Sequence, residues 1–263
     1  MRTKLRLPGA PDAEGRTLAA GLPRRGDGLA YIGLEAFELA PGQTLGRAAG
    51  ALETGLVLLG GIGRIEAGGL AADIGGRASP LEAPGHAVYL PPGLAWRFTA
   101  ASSCALALGH AAVPAGVAPP PRIITPGEVR LSTRGSGQTA RTIRDVLPET
   151  APALGLLLVE VVTPGGHWSS FPPHKHDMAG PGETALEEIY YHRFARPGGF
   201  GFQRIYETGG PDDAVTLTDG AAVLVPRGYH PVAAAPGCDL YYLNIMAGPE
   251  RRWGIATDPD FVG

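Results

Sequence analysis

Four residues in the second half of the chain have the types and spacing of a metal-binding set. His174 and His176 are separated by one residue, Glu188 opens the next apolar run, and His230 follows the Pro-Arg-Gly turn in VPRGYHP. Imidazole and carboxylate groups suit borderline divalent metals, and such a set leaves coordination positions open for substrate or water. The sequence therefore predicts one divalent ion held by these four residues, with zinc as the first choice and manganese or iron as alternatives.

The local sequence favours an extended backbone around the two neighbouring histidines. Pro172 and Pro173 come directly before His174 and disfavour a helix there. Because side chains alternate along a strand, both imidazoles should lie on one face and Lys175 on the other. A single histidine is more often a surface or core residue than a ligand. The metal prediction therefore depends on the combination, and Glu187 is the alternative to Glu188.

The elements that would position these ligands are strands. Short apolar runs such as 53–61, 84–93, 187–194 and 239–248 recur between turn signals, a pattern typical of a sandwich or barrel. The 40 glycines and 26 prolines punctuate these runs and form no low-complexity tract. The sequence therefore predicts an all-β protein, with at most one short helical turn near 140–146.

A Pro-dense segment at 113–128 separates two halves that resemble each other. Gly85, Pro91 and Gly93 recur as Gly220, Pro226 and Gly228 at a constant offset, which places Glu53 on Glu188 and Ala95 on His230. We interpret this as an internal duplication whose first copy has a structural or interface role. The predicted boundaries are an extended arm at 1–28, a barrel lacking metal ligands at 29–115, a linker at 116–140, a metal-binding domain at 141–250 and a tail at 251–263.

Composition excludes several classes of function. The 22 basic and 25 acidic residues are nearly balanced and form no basic patch, so no nucleic-acid partner is expected. No apolar run is long enough to predict a membrane span, and the N-terminus lacks the apolar core of a secretory signal. Cys104 and Cys238 lack metal-site or redox spacing and are predicted to be buried thiols in a cytoplasmic protein. The first copy could also serve as the interface of a homo-oligomer.

The order of the ligand motifs resembles the signature of the cupin superfamily: H-x-H, then Glu, then Pro-x-Gly-x-His. This resemblance implies a bicupin, with two tandem β-barrel or jelly-roll domains. Glu188 fits the cupin spacing between the ligand carboxylate and the end of its strand better than Glu187 does.

Longer phrases resemble a more specific family. GHWSSFPPHKHD, LEEIYYHR, GFGFQRIY, VLVPRGYHPV and DLYYLNIMAGP are similar to the 5-deoxy-glucuronate isomerases of bacterial myo-inositol catabolism, relatives of the 4-deoxy-uronate ketol-isomerases. The resemblance is specific across about 160–250, and the chain departs from the family at its final Phe-Val-Gly. It implies the conversion of 5-deoxy-D-glucuronate to 5-dehydro-2-deoxy-D-gluconate, an aldose–ketose isomerisation assisted by a metal through an enediolate.

That reaction requires a proton carrier and an anchor for the carboxylate of a small sugar acid. Tyr190 and His192 share strand parity with Glu188 and are the candidate carriers, and Asp177 is a candidate for orienting an imidazole. Each of the three could instead be a structural interior or loop residue. The candidate substrate-binding residues are Arg204, Gln203, Arg227, Tyr229 and Tyr242.

Three other functions stay open at this point. One is the 4-deoxy-uronate substrate of the sister family. Another is an iron-dependent cupin dioxygenase, which can use the same ligand set but consumes oxygen. The third is a non-catalytic sugar-binding cupin.

Overall fold

The computed structural model describes residues 4–5, 17–22, 29–113 and 116–262. Within these ranges the regular structure is almost entirely strand, and the only helical elements described are two 3-10 turns, Gly137–Thr139 and Pro259–Phe261. The all-β prediction is confirmed. In the described part of the chain, no helix has the length and apolar character needed to cross a membrane.

The first half and the segment that follows it contain eleven strands. They are β1 (Lys4–Leu5), β2 (Thr17–Leu22), β3 (Ile32–Leu39), β4 (Thr44–Arg47), β5 (Leu52–Gly60), β6 (Ile62–Ala67), β7 (Leu70–Gly75), β8 (Ala87–Leu90), β9 (Trp96–Ala100), β10 (Cys104–Ala112) and β11 (Arg122–Ile124). Ten of them form a six-stranded sheet in the order β11-β8-β5-β10-β3-β2 and a four-stranded sheet in the order β4-β9-β6-β7.

The second half repeats this arrangement. Its strands are β12 (Arg130–Arg134), β13 (Arg141–Leu147), β14 (Leu157–Thr163), β15 (Trp168–Ser169), β16 (His174–Lys175), β17 (Glu187–Phe194), β18 (Phe200–Tyr206), β19 (Asp212–Thr218), β20 (Ala222–Val225), β21 (Val232–Ala234), β22 (Leu240–Ala247) and β23 (Ala256–Thr257). The seven-stranded sheet has the order β1-β20-β17-β22-β14-β13-β12 and the four-stranded sheet the order β15-β21-β18-β19, while β16 pairs with β23.

The three largest apolar clusters among the described residues hold these sheets together. One fills the space between the large and small sheets of the first half, around Phe98 and Leu106. A second fills the equivalent space in the second half, around Tyr190 and Tyr242. The third joins the two large sheets to each other and includes Tyr89. Because strand residues alternate between faces, each large sheet is apolar on both faces.

The strand register corrects the alignment of the two copies by one residue. Thr54 lies opposite Leu90, just as Glu188 lies opposite Val225, and Pro91 and Pro226 come next in the chain. Thr54 is therefore the structural counterpart of Glu188, and the sequence-based pairing of Glu53 with Glu188 is wrong. A slip of one residue moves a side chain to the opposite face of its strand, so it changes what that side chain can contact.

The predicted helical turn near 140–146 is also wrong. This segment is β13, which is paired on both sides by β12 and β14. The backbone groups are satisfied by these ladders, and the β-branched Thr142 and Ile143 favour a strand.

The domain boundaries stay a prediction. In the predicted arm, β1 pairs with β20 and β2 with β3, and most of its other residues lie outside the described part of the chain. The predicted linker contains β11, at the edge of the first large sheet, and β12, at the edge of the second. In the predicted tail, β23 pairs with the strand that carries His174.

Candidate metal centre

Three of the four predicted ligands form one buried cluster. His176, Glu188 and His230 each offer a ligand atom within 4.8 Å of the others. Glu188 and His230 are fully buried and His176 is 2% exposed. Glu188 Oε2 lies 3.0 Å from His176 Nε2 and 3.1 Å from His230 Nε2. We refer to these three residues as the ligand cluster.

Backbone carbonyls fix the orientation of both imidazoles in the ligand cluster. His176 Nδ1 lies 3.0 Å from the Leu186 carbonyl oxygen, and His230 Nδ1 lies 2.8 Å from that of Gly228. In the tautomer that donates from Nδ1 to these carbonyls, each Nε2 carries its lone pair toward Glu188. Gly228 has a φ of 89°, and a Cβ at this position would lie 2.7 Å from the Tyr206 carbonyl oxygen. A glycine is therefore required in the turn that carries His230.

His174 lies beside the ligand cluster and is not within it. Its ring centroid is 5.1 Å from that of His230 and 6.4 Å from that of His176. Its Nδ1 faces the Pro172 carbonyl oxygen at 3.2 Å. Burial, together with the neighbouring His230 and His176, lowers the pKa of His174 to about 3. His174 is therefore neutral at physiological pH, as a metal ligand must be.

The donor set fits a divalent cation. Burial alone would raise the pKa of Glu188, but the contacts with His176 and His230 lower it to about 2, so the carboxylate is ionised. Asn244 Nδ2 donates a short hydrogen bond to Glu188 Oε1. Among the described residues, His230 Nε2 has no partner with hydrogen-bond geometry despite its proximity to Glu188. A buried carboxylate facing imidazole lone pairs is a suitable environment for a metal ion.

The predicted proton carriers lie on the same strand face as Glu188 but at different depths. Tyr190 Oη lies 3.0 Å from Ser170 Oγ. The ring of His192 stacks with that of Tyr190 at a centroid distance of 5.9 Å, and its Nδ1 faces the Ala221 carbonyl oxygen at 3.1 Å. Tyr190 is thus connected to Ser170, whereas His192 lies farther from the ligand cluster along β17.

Asp177 contacts no imidazole by hydrogen bond. Its Oδ1 accepts from Lys175 Nζ at 2.7 Å, and its Oδ2 accepts from the Gly228 amide at 2.8 Å. It therefore ties the loop after His176 to the turn before His230, which positions two ligands through the backbone.

The cavity beside the ligand cluster, which we call the site pocket, has a volume of about 230 Å³. Ser170, His174, Tyr242 and Asn244 line it next to the ligand cluster. Three arginines on β12 and β13 also line it: Arg130, Arg134 and Arg141. Sequence reasoning missed these arginines because it assigned their segment to a linker and a helical turn.

Of the five predicted substrate-binding residues, only Tyr242 lines the site pocket. Gln203 is buried behind His230 and its Nε2 lies 3.3 Å from the His230 carbonyl oxygen. Arg204 pairs with Asp212 at 2.8 Å and Arg227 pairs with Glu207 at 3.1 Å, both at exposed positions. The remaining candidate, Tyr229, packs against Tyr206 at a centroid distance of 5.2 Å.

The C-terminal segment also supports the site, which sequence reasoning did not predict. Thr257 lies opposite His174 in the β16–β23 ladder. The Trp253 ring lies 5.6 Å from the His176 ring, and buried Asp258 accepts a short hydrogen bond from Tyr206 Oη. These contacts hold the strand that carries His174 against the small sheet.

Comparison with known proteins assigns the family. The model of the KduI/IolB family matches residues 7–262. The chain belongs to this family. It is 42% identical over 242 residues to a 5-deoxy-glucuronate isomerase from Geobacillus kaustophilus, a match that covers 89% of this chain and 85% of that protein. A 5-deoxy-glucuronate isomerase from Bacillus licheniformis is 36% identical over 262 residues, covering 97% of this chain and 96% of the relative.

Solved structures agree with the family assignment. The crystal structure of an IolB-like protein from Salmonella typhimurium LT2 superposes with a TM-score of 0.93 at 36% identity, covering 99% of this chain and 98% of that one. An oxalate decarboxylase from Lactobacillus farciminis superposes with a TM-score of 0.72 at 11% identity, covering 98% of this chain and 88% of that one. The second likeness concerns the fold alone.

Proposed function

We propose that this protein isomerises 5-deoxy-D-glucuronate to 5-dehydro-2-deoxy-D-gluconate, a step of myo-inositol degradation. The observation that carries the proposal is a buried His176–Glu188–His230 cluster whose neighbours His174 and Asn244 line a pocket. It occurs in a chain that is 36–42% identical, over most of its length, to proteins named 5-deoxy-glucuronate isomerase. The reaction takes a proton from the hydroxyl-bearing carbon next to the aldehyde and returns a proton to the aldehyde carbon. The hydroxyl proton moves to the former aldehyde oxygen, so the alcohol becomes the ketone without net oxidation.

The ligand cluster is the site that we propose for the metal implied by the family resemblance. We propose that His176, Glu188 and His230 hold one divalent ion, with His174 as the fourth ligand, and that the ion is zinc, or alternatively manganese or iron. When bound, such an ion supplies Lewis acidity toward the carbonyl and hydroxyl oxygens of the substrate. Asn244 keeps Glu188 oriented through its hydrogen bond to Oε1.

Two phenols are the proposed donors toward the substrate oxygens. Burial raises the pKa of Tyr190 well above its ordinary value, and burial also raises that of Tyr242, so both hydroxyls stay protonated at neutral pH. Ser170 joins Tyr190 to the pocket wall, and it has a φ of 48°, an uncommon value for a residue other than glycine. We propose that Tyr190, through Ser170, holds a proton at the reacting end of the substrate. His192 remains a second candidate carrier.

One experiment tests this function. The purified protein is incubated with 5-deoxy-D-glucuronate in deuterated water, and the product is followed by NMR before and after chelation. We expect the ketose product with deuterium on the former aldehyde carbon, loss of activity on chelation, and recovery with a stoichiometric divalent ion. Full activity in a preparation shown to be metal-free would refute the role of the metal. Oxygen uptake without ketose would instead favour a dioxygenase.

A further inference from the structure

Arg141 is a buried guanidinium without an ion-pair partner among the described residues. Arg141 is 9% exposed, and its Nη1 donates a hydrogen bond to the Thr139 carbonyl oxygen at 3.0 Å. Its Nε has no hydrogen-bond partner among the described residues. Buried charges are normally paired, because an unpaired one loses its hydration without compensation. Arg141 therefore has unused hydrogen-bonding capacity inside the protein.

A second arginine lies directly opposite the first. In the β12–β13 ladder, Arg134 is the cross-strand partner of Arg141. Like charges in this position repel each other, so the pair destabilises the hairpin unless an anion lies between them. Neither Arg134 nor Arg141 forms an ion pair with any described residue, although Asp145 and Glu149 also line the pocket. Asp145 lies opposite Arg130 instead, and Glu149 accepts a hydrogen bond from the Trp253 amide.

The turn between the two strands leaves room for the Arg141 guanidinium. Gly135 has a φ of 76°, and a Cβ at this position would lie 2.7 Å from Arg141 Nη1 and 2.2 Å from the Thr139 carbonyl oxygen. Any other residue would displace Arg141 and strain the backbone. The conformation of the turn and the position of the guanidinium therefore depend on each other.

Both arginines line the same cavity as the residues next to the ligand cluster. Arg134 and Arg141 share the site pocket with His174, Asn244 and Tyr242. A ligand in this pocket can thus present one end to the ligand cluster and an anionic group to the arginines.

We propose that Arg141, assisted by Arg134, forms the subsite that binds the carboxylate of the sugar acid. The proposal rests on the proposed function for the identity of the substrate, and it replaces Arg204 and Arg227 as the predicted carboxylate anchors. The planar fork of a guanidinium matches a carboxylate through two parallel hydrogen bonds. The same contact relieves the repulsion between the two arginines.

The test compares two ligands that differ only at the anionic group. These are 5-deoxy-D-glucuronate and 5-deoxy-D-glucose, in which a hydroxymethyl group replaces the carboxylate. Their dissociation constants are measured by calorimetry on the metal-loaded wild type and on R141Q, R141K, R134Q, R204Q and R64Q. We expect the wild type to prefer the acid by about 10- to 100-fold, the range of a charge-assisted pair.

In R141Q the dissociation constants of the two ligands should differ by no more than about threefold. R141K should keep part of the preference for the acid, and R134Q should lose part of it. R64Q removes an exposed arginine that pairs with Asp73 in the first half, and it should match the wild type. Loss of the preference in R204Q but not in R141Q would assign the carboxylate anchor to Arg204, as the sequence suggested. That result would overturn the proposal.

Stability separates a binding role from a structural one. Because Arg141 is buried, unpaired and opposite Arg134, R141Q should melt at the wild-type temperature or above it. A melting temperature lowered by many degrees, with an unchanged preference for the acid, would mean that Arg141 is structural.

The isomerase assay on the same samples distinguishes this proposal from the proposed function. Selective binding of the acid through Arg141 without formation of a ketose would sustain the subsite and refute the isomerase. Isomerisation with an undiminished preference in R141Q would sustain the isomerase and refute the subsite.

Discussion

The two halves share a pair of neighbouring strand positions in the same register, and only the second position of the pair has a different role in each half. Glu187 and Glu188 in β17 correspond to Glu53 and Thr54 in β5. Glu188 faces the interior of the second half and belongs to the ligand cluster. Thr54 faces the interior of the first half, where its hydroxyl lies 2.9 Å from His110 Nδ1. Among the described residues, this position therefore distinguishes the half that contains the ligand cluster from the half that does not.

The preceding position, Glu53 in β5 and Glu187 in β17, has the same role in both halves. Its carboxylate forms hydrogen bonds with the other half. Glu53 accepts hydrogen bonds from Tyr89 Oη and from the amides of 154–156, just before β14. Glu187 accepts from the amides of Ala30 and Tyr31, just before the equivalent strand β3. Each half thus holds the entering strand of the other through a carboxylate. This reciprocal contact is present in both halves, whereas among the described residues the ligand cluster lies only in the second half.

The largest effect is expected at the position where the halves differ. Glu188→Gln preserves volume but removes the negative charge between His176 and His230. We expect the activity on 5-deoxy-D-glucuronate to fall at least about 1,000-fold, equivalent to roughly 4 kcal/mol in the barrier, with metal content well below one per chain. Rates and elemental analysis of the purified variant measure both quantities. Retention of a full metal complement would remove Glu188 from the ligand set.

A stability change without a catalytic one is expected at Glu53. In Glu53→Gln, the N–H donors of the new amide would face the backbone N–H groups whose hydrogen bonds the carboxylate accepts. This clash of donors would lie in a buried region. We expect the free energy of unfolding to fall by about 3 kcal/mol, within the range for losing a buried, hydrogen-bonded charge. Urea denaturation measures this change, and metal content should stay at one ion per chain. If the metal were lost as well, the division of roles between the two halves would be incorrect.

A smaller effect is expected at the residue that orients Glu188. Asn244→Leu fills a similar volume but leaves Glu188 Oε1 without its hydrogen bond from Nδ2. Residues that orient metal ligands typically contribute about 10- to 100-fold to metal affinity, and we expect a loss in that range. Competition with a chelator of known affinity measures it. An unchanged affinity would show that the other contacts of Glu188 suffice to orient it.

The smallest effect is expected at Glu187, the counterpart of Glu53. Glu187→Gln weakens two hydrogen bonds at a partly exposed carboxylate, so the free energy of unfolding should fall by roughly 1 kcal/mol. Activity should stay near the wild-type value, because Glu187 faces away from the ligand cluster. This variant is the matched control for Glu188→Gln, since the two residues are adjacent and differ only in the face they occupy. A 1,000-fold loss of activity here would instead assign the ligand role to Glu187.

Some of the site could be predicted from residue types alone. His176 and His230 were predicted as ligands from the H-x-H spacing, the preceding prolines and the Pro-x-Gly-x-His turn. These features depend on local backbone geometry. The structure places Glu188, and not Glu187, beside His176 and His230, but one argument for choosing it, the pairing with Glu53, was out of register by one residue. Sequence similarity between two short apolar strands cannot fix their alignment. A shift of one residue still matches apolar residues with apolar residues.

The arginines of the site pocket illustrate a different limit. Arg204 and Arg227 were the predicted carboxylate anchors, and both form ion pairs at the surface. Arg141 lies far from the ligands in sequence and reaches the pocket because β13 joins the second large sheet beside β14. That contact is set by the order of strands across the sheet, which local patterns do not encode.

The sequence by itself determined the all-β class and the residue types of the ligand cluster, and it predicted the duplication, since each depends on local spacing and composition. The tertiary structure decided which face each carboxylate occupies, how the two halves hold each other, and which cations line the pocket. The physical reason is that these features arise from pairing between strands distant in the chain, where a shift of one residue exchanges the interior for the opposite face.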